Sequence, residues 1–463
     1  MRIGDNPGMN CLREPILSLD TRMPRYTSYP TAPHFKLLDD TQEYTRKLDH
    51  LESDQDISLY IHIPFCSKLC WYCGCHTKIT KRYAPVEDYA YLLLREIDLL
   101  AENLNPSQVV TNVHFGGGSP GLLRACDFDM LFNKLRSKLN IADHANISIE
   151  LDPRGITEGR VATYAKNGVN RVSLGVQDFD ENVLEAVNRQ QPFSLSYNAV
   201  KLLREYGIDK INVDVMYGLP HQTLETQAHT LEKLISLGPA RIAFFGYAHV
   251  PWMKKHMRLI DENALPKKDL RFDLFDSGQK FLKENGYMSI GIDHFAKAED
   301  SLLKALENKT LRRNFQGYVD DQADILIGLG VSSIGKIENR YFQNYADMPS
   351  YKAAVLSNSL PITKSCFITK EDQMRAKIIE QLMCYLSVDL KDVCKKYNLE
   401  VSYFSNELEK LENYERLGFI KVENHIVTIN PSAKLATRMI CSVFDSYMNC
   451  QKEDKSPKHA TAI

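Results

Sequence analysis

Cys66, Cys70 and Cys73 form a C-x3-C-x2-C array within Tyr60-Ile-His-Ile-Pro-Phe-Cys-Ser-Lys-Leu-Cys-Trp-Tyr-Cys-Gly-Cys75. Three thiolates this close in sequence can each ligate one iron of a [4Fe–4S] cluster, which ordinarily takes four. The iron left without a protein ligand can then bind a substrate or cofactor. A cluster that only passes electrons would not need that vacancy. Cys75 adds a fourth sulfur, so a zinc site of four thiolates is the alternative. Structural zinc usually draws on two well-separated C-x2-C knuckles, and only Cys70 and Cys73 make one. The crowding favours iron and sulfur. A disulfide loop is disfavoured, because nothing points to an oxidising compartment.

Other polar residues gather at comparable places. Gly116-Gly117-Gly118-Ser119-Pro120 follows an apolar run. Its glycines let backbone approach a ligand and expose peptide groups to it, although a tight β–α turn would use them equally well. It lacks the Lys-Ser/Thr ending of a Walker loop. Glu150 closes Ile-Ser-Ile-Glu-Leu-Asp-Pro, where a carboxylate can accept from ribose hydroxyls or simply pair at the surface. Asp214 sits inside the apolar run 211–217. Burying it without a partner would be costly, so it needs a base or a polar ligand. Gln177 and Arg189 read blandly as a strand-end amide and a surface helix charge. His62 reads as a satisfied core histidine. Asp293-His294-Phe295 closes a strand and is a candidate for substrate contact.

The elements that must position these groups alternate. Apolar β-type runs at 59–63, 112–116, 147–151, 171–176, 211–217 and 241–248 are separated by helical patterns such as 86–103, 157–167, 194–206 and 224–237. Alternation of this kind predicts an α/β fold of parallel β/α units. Six units suit a partial (βα)6 TIM-like barrel. Chemistry in such barrels sits at the C-terminal ends of the strands, where the cysteines, the glycine run, Glu150, Gln177, Asp214 and Ala248-His249 all fall. Residues 1–50 precede the barrel and carry Pro24-Arg25-Tyr26-Thr27-Ser28-Tyr29-Pro30-Thr31-Ala32, which predicts an extended segment covering another surface. One more strand is expected at 287–292, and 314–336 is a Gly-containing stretch. Residues 361–450 should form a C-terminal, mostly helical domain with a β-like run at 419–429. The polar tail 451–463 should be disordered.

Composition narrows the function class. The chain has 463 residues, 44% of them hydrophobic, and a formal net charge of −2. That charge argues against nucleic acid or an anionic membrane as a partner. No apolar run reaches the ~18 residues of a membrane span, and the first residues carry no secretory signal. Cys11, Cys126, Cys366, Cys384, Cys394, Cys441 and Cys450 are scattered singly and read as reduced thiols. A cytoplasmic location is expected.

The cysteine spacing, with Tyr72 just before the last cysteine, resembles the radical S-adenosylmethionine superfamily. More segments extend the likeness: 24–32, 60–75, 116–120, 147–153, 175–179, 212–220, 247–251, 293–296, 314–318 and 330–334. Together they resemble the oxygen-independent coproporphyrinogen III oxidases. The N-terminal Pro-Arg-Tyr-Thr-Ser-Tyr-Pro-Thr and Asn314-Phe-Gln-Gly-Tyr318 carry the family-level part. The resemblance implies a reaction in which two propionates of coproporphyrinogen III become vinyl groups, giving protoporphyrinogen IX for heme synthesis. Each step would take a β-hydrogen with a deoxyadenosyl radical, release CO2 and pass one electron to an acceptor.

The resemblance also implies residue roles. Cys66, Cys70 and Cys73 would ligate the cluster, with Cys75 present but not a ligand. Tyr60, Tyr72, Gly117, Glu150 and Ile334 would line one S-adenosylmethionine. Gly118, Ser119, Gln177, Arg189, Asp214 and Ala248 would surround a second. Residues 51–360 would be the radical S-adenosylmethionine catalytic domain with an extension. Arg25, Arg312 and Arg313 are candidates to meet the substrate's propionates. A reductant protein would feed the cluster, the electron acceptor is not identified by the sequence, and a monomer is expected. Ser119 stands where Thr is common, Gly246 where some members have Asn, and Val319-Asp320 where a Thr pair is frequent. The alternative function is a related heme chaperone, which binds and delivers heme; relatives of that type typically lack the N-terminal segment and Asn-Phe-Gln-Gly-Tyr. A radical methyltransferase, which would make S-adenosylhomocysteine, is a further alternative.

Overall fold

The structure, a computed structural model, describes residues 7–449 apart from 20, 41, 53 and 54. The tail 451–463 and Cys450 therefore lie outside the described residues, as does the Cys11 side chain. Six strands stand side by side and parallel: β1 (Ile57–Ile63), β2 (Val109–Gly117), β3 (Asn140–Leu151), β4 (Arg171–Gln177), β5 (Lys210–Tyr217) and β6 (Arg241–Gly246). Helices Ala84–Asn103, Ala125–Lys138, Glu158–Lys166, Phe193–Glu205 and Leu224–Leu237 connect them. This is the expected partial (βα)6 barrel. Beyond β6 the sheet turns antiparallel through His294–Ala296 and Met288–Ile290.

A seventh parallel strand, β7 (Ile325–Leu329), pairs with β1 on its other side. It lies inside the stretch read from the sequence only as glycine-containing. Gly328 and Gly330 interrupt its short apolar run, and it has no helical crossover of its own to announce it. Three antiparallel strands continue outward: Ile334–Ile337, Arg340–Asn344 and Ile362–Phe367. Gly328 is needed there, since a side-chain carbon would stand 3.0 Å from the Ile334 backbone.

Alternation explains how the strands present chemistry. In β5, Ile211, Val213 and Val215 are fully buried in the main hydrophobic core, each worth roughly 1.5–3 kcal/mol of burial. Asn212 and Asp214 take the opposite face, and both bond Ser173 of the neighbouring β4. A one-residue slip would exchange the two sets. One connecting helix is capped at both ends. Thr223 and Thr226 form a capping box at the start of Leu224–Leu237, and Gly238 ends it at φ 61°.

The remaining segments pack around one side. The stretch 24–31 is non-helical, between helices Pro7–Ser18 and Gln42–Asp49. It is tied to residues near 445: Tyr26 Oη donates to Asp445 at 3.0 Å, and the Tyr29 and Ser446 hydroxyls are 3.0 Å apart. Helices Lys370–Tyr385, Leu390–Lys396, Ser405–Arg416 and Thr437–Val443 follow. The β-like run at 419–429 is a hairpin, Ile420–Glu423 with Ile426–Ile429. Its two turn residues, Asn424 and His425, have φ of 51° and 68°, as a two-residue primed turn requires. Ser387–Asp389 joins this hairpin to make a three-stranded sheet.

Candidate active site

The chain leaving β1 forms a short strand, Phe65–Cys66, paired with Lys78–Ile79. The cysteine loop lies between them. It is held at several points: Trp71 N–H donates to Val187 O at 3.0 Å, Asn188 Nδ2 to Leu69 O at 2.7 Å, and Lys254 Nζ to Cys75 O at 2.9 Å. His256 Nε2 lies 2.8 Å from Cys73 O. The loop thus hangs from other segments of the fold at several points.

A cavity of about 180 Å³ opens at the loop. Of the predicted residues, Cys66, Cys70, Cys73, Tyr72, Gly117, Gly118, Ser119, Glu150, Gln177, Arg189 and Asp214 all border it. Three do not. Tyr60 sits behind the glycine run, its ring stacked 5.8 Å from His114. Ile334 begins its strand beside Gly328. Ala248 borders a different, smaller cavity. Cys75 borders the cavity too.

Charge around the thiols is arranged for thiolates. Arg189 Nη1 lies 3.4 Å and Arg154 Nη2 3.7 Å from Cys70 Sγ. Both arginines also meet Asp152, at 3.3 and 2.6 Å. Arg189 is not a surface charge: it is 5% exposed and also donates to Gly175 O. The Cys75 thiol, hydrogen-bonded to Cys73, brings Cys73 down to about 6. Burial, with Cys73 and Cys70 beside it, pushes Cys66 up to about 12. One thiolate forms readily, and the buried Cys66 would need added positive charge to lose its proton.

Cys66, Cys70 and Cys73 border one cavity, where each thiolate could take its own iron of a cluster. The nine described cysteines are all free thiols.

The glycine run packs more tightly than a simple turn demands. Gly118 N–H donates to Ile63 O and Ser119 N–H to Phe65 O, both at 2.8 Å. A Cβ at Gly118 would stand 2.7 Å from Phe65 O, and Gly117, at φ 112°, abuts the His62 ring. These glycines therefore let the second loop lie flat against the root of the first. His62 itself is buried and satisfied by Tyr60 Oη and His76 O, each at 3.0 Å.

The two carboxylates differ. Glu150 accepts from Gly117 N–H at 3.1 Å and meets His114 Nε2 at 3.1 Å. Burial works against its charge, but His114 and the Gly117 N–H together hold its carboxyl below the usual value. Asp214 has Ser173 at 3.2 Å and Asn212 at 2.8 Å. Burial, reinforced by Glu150, pushes it up to about 7. Gln177 reaches the cavity from a β-bulge, at φ 75°, a device that re-aims a strand-end side chain.

Asp152, Arg154, Ser173 and Lys68 also border the cavity and were not singled out from the sequence. Asp152 and Arg154 had a signal: an acid–base pair immediately after β3, at the end of the barrel where chemistry sits. Ser173 had none beyond its place on the inner face of β4.

A barrel of parallel β/α units with three cysteines, a glycine run and two carboxylates at its strand ends defines a radical S-adenosylmethionine protein, and residues 60–234 match the Radical SAM superfamily. A protein from Bradyrhizobium diazoefficiens named oxygen-independent coproporphyrinogen III oxidase is 40% identical over 434 residues, 94% of this chain and 96% of the relative. One of the same name from Helicobacter pylori strain J99 is 38% identical over 92% of this chain and 94% of the relative. The solved structure of coproporphyrinogen III oxidase from Escherichia coli, described as a Radical SAM enzyme, superposes with a TM-score of 0.87 at 33% identity, covering 92% of this chain and 100% of that one. The chain belongs to the oxygen-independent coproporphyrinogen III oxidase family.

Proposed function

We propose that this protein converts two propionates of coproporphyrinogen III to vinyl groups without O2, yielding protoporphyrinogen IX in heme biosynthesis. The observation that carries the reading is one cavity at the barrel's strand ends, bordered at once by Cys66, Cys70, Cys73, the glycine run, Glu150, Arg189 and Asp214. A [4Fe–4S] cluster with S-adenosylmethionine, when bound, supplies the radical that takes a hydrogen atom from the substrate's β-carbon. Each propionate then loses CO2 and gives one electron to an acceptor, so the carbon skeleton balances.

The chain's own groups do the positioning. Arg189 and Arg154 offset negative charge beside Cys70. Gly117, Gly118 and Ser119 present backbone to the cavity. Glu150 keeps a carboxylate there, ready to accept from an ammonium or a hydroxyl. Asp214, with Ser173 and Asn212 already donating to it, offers its remaining lone pairs to a second ribose. Tyr60 and Ile334 act from behind this lining, and Ala248 from the adjoining cavity. Two S-adenosylmethionine molecules per site, a separate reductant protein, an acceptor, a monomeric state and a cytoplasmic setting complete the proposal. No helix among the described residues is long and apolar enough to cross a membrane. The N-terminal segment up to residue 50 serves as a cover over the 51–360 catalytic region, a role supported by the Arg25 contact to Gly246 O, while Tyr26 and Tyr29 tie it to Asp445 and Ser446 of the C-terminal unit. Residues 361–450 form the third unit of this arrangement.

The test is anaerobic turnover of reconstituted protein with S-adenosylmethionine, coproporphyrinogen III, a low-potential reductant and a cell extract as acceptor source. Protoporphyrinogen with one deoxyadenosine for each propionate lost is the expected result. Deoxyadenosine without protoporphyrinogen, from protein that retains heme, would move the assignment to a heme carrier.

A further inference from the structure

A second cavity lies past the end of β6, where segments from all parts of the chain meet. It holds about 50 Å³, room for one carboxylate group but not for a ring system. Four arginines line it: Arg25, Arg271, Arg313 and Arg438. They come from the extended N-terminal stretch, helix Lys268–Glu284, strand Arg312–Asn314 and helix Thr437–Val443. Asp293 is the one acid among the described residues of its lining, and its Oδ1 already meets His294 Nδ1 at 2.8 Å.

Arg25 and Arg313 are only partly engaged by protein. Arg25 reaches Gly246 O at 3.4 Å. Arg313 donates to Arg25 O at 3.4 Å and lies over the Tyr318 ring, 4.5 Å from its centroid. The Nε and Nη1 of Arg313 are buried with no hydrogen-bond partner. Beside them, Arg271 donates to Tyr247 O at 2.9 Å. Burial lowers Arg25, and burial with the nearby Arg25 charge brings Arg438 down to about 10. Burying Arg313 Nε and Nη1 without partners, next to the Arg25 charge, is costly to a fold. A planar, bidentate anion relieves that cost. Arg313 also borders a larger cavity of about 610 Å³, shared with Tyr26, Tyr29 and Phe315, a volume within the range of small-molecule sites.

We propose that the arginine-walled cavity is a carboxylate subsite that grips one propionate of the tetrapyrrole substrate. The inference rests on the oxidase reading above and assigns Arg271 and Arg438, which the sequence did not suggest, to substrate binding. Arg312 is not part of it; its guanidinium meets Asp324 at 2.7 Å and two main-chain carbonyls.

The experiment uses cluster-loaded protein and coproporphyrin III, the stable oxidised macrocycle with the same four propionates, read by fluorescence quenching. S-adenosylmethionine affinity is measured in parallel, because its methionyl carboxylate is the other carboxylate at hand. Arg313→Gln and Arg438→Gln should each weaken coproporphyrin III about 10- to 100-fold and raise KM for coproporphyrinogen III, leaving S-adenosylmethionine affinity and cluster absorbance unchanged. Unchanged coproporphyrin III affinity would overturn the proposal. So would a loss of S-adenosylmethionine affinity alone. Should these variants fail to fold, the unmodified protein decides: the tetramethyl ester of coproporphyrin III, which has no anionic groups, should bind at least tenfold more weakly, and equal binding would overturn the proposal. Binding through the arginines with no protoporphyrinogen formed would overturn the oxidase reading instead and leave the carboxylate site in place.

Discussion

The cysteine-lined cavity and the arginine-walled cavity are built in opposite ways. The first draws on consecutive β/α units, and its residues run in order along the barrel from Cys66 to Asp214. Most sit at or near a strand's C-terminal end, and Arg189 follows the short helix Glu181–Ala186 after β4. The second draws one arginine from each of four segments with no common motif, and none is placed by a barrel strand. The first region collects groups that make reactive chemistry possible. The second collects charge that no chemistry of the fold requires. Reactivity here is written into local spacing, while recognition is written into how distant segments come together.

If that division holds, damage on one side should spare the other. Cys70→Ser should abolish cluster absorbance and turnover altogether, yet leave coproporphyrin III affinity within about twofold, since the sites share no partner. A large loss of porphyrin affinity in that variant would break the division. Asp214→Ala should keep the cluster but cut turnover about 100-fold, the effect of losing hydrogen bonds to a polar ligand in a buried site. Unchanged turnover would remove Asp214 from the site. Cys75→Ser should retain the cluster and lower turnover by no more than about threefold, because a hydroxyl can still donate to Cys73. Loss of iron from it would make Cys75 a ligand.

A separate effect lies in the scaffold, away from both cavities. Glu96 is 1% exposed and receives hydrogen bonds from Gly330 N–H, Asn344 and Tyr351. Burial nevertheless pushes its carboxyl up to about 7. In the unfolded chain it titrates near about 4.3. Between those values the folded state holds a proton that the unfolded state has released, so stability falls as pH rises from about 4 to 7. The shift corresponds to about 4 kcal/mol. Denaturant unfolding at both ends of that range should show this slope in the native protein and lack it in Glu96→Gln. Equal slopes would mean that Glu96 is charged throughout.

Legibility followed the same line. The six barrel strands could be read because apolar β-type runs alternate with helical patterns such as 224–237, which the structure shows as the helix Leu224–Leu237. The cysteine group could be seen in the sequence because its members are neighbours there. Arg189 was readable as a charge but not as a buried one, since burial depends on Asp152 and Gly175, which approach from β3 and β4. Strand β7 was missed because two glycines interrupt its pattern. Of the arginines offered for the propionates, Arg25 and Arg313 reach the second cavity and Arg312 does not. Side chains at adjacent positions of a short strand point to opposite sides, and the sequence does not say which side faces the site. Arg271 and Arg438 had no local signal at all.

The bonds from Tyr26 and Tyr29 to Asp445 and Ser446 span nearly the whole chain, which bears on how the protein is made. At about 5–20 residues per second of synthesis, Arg438 emerges roughly 20–80 s after Arg25. The barrel from β1 to β6 is complete well before then and can begin to fold on the ribosome. Until the last helix arrives, the N-terminal stretch has no Asp445 to dock on and the arginine cavity lacks a wall. Every nascent chain therefore passes through an interval in which its reactive half is built and its recognition half is not.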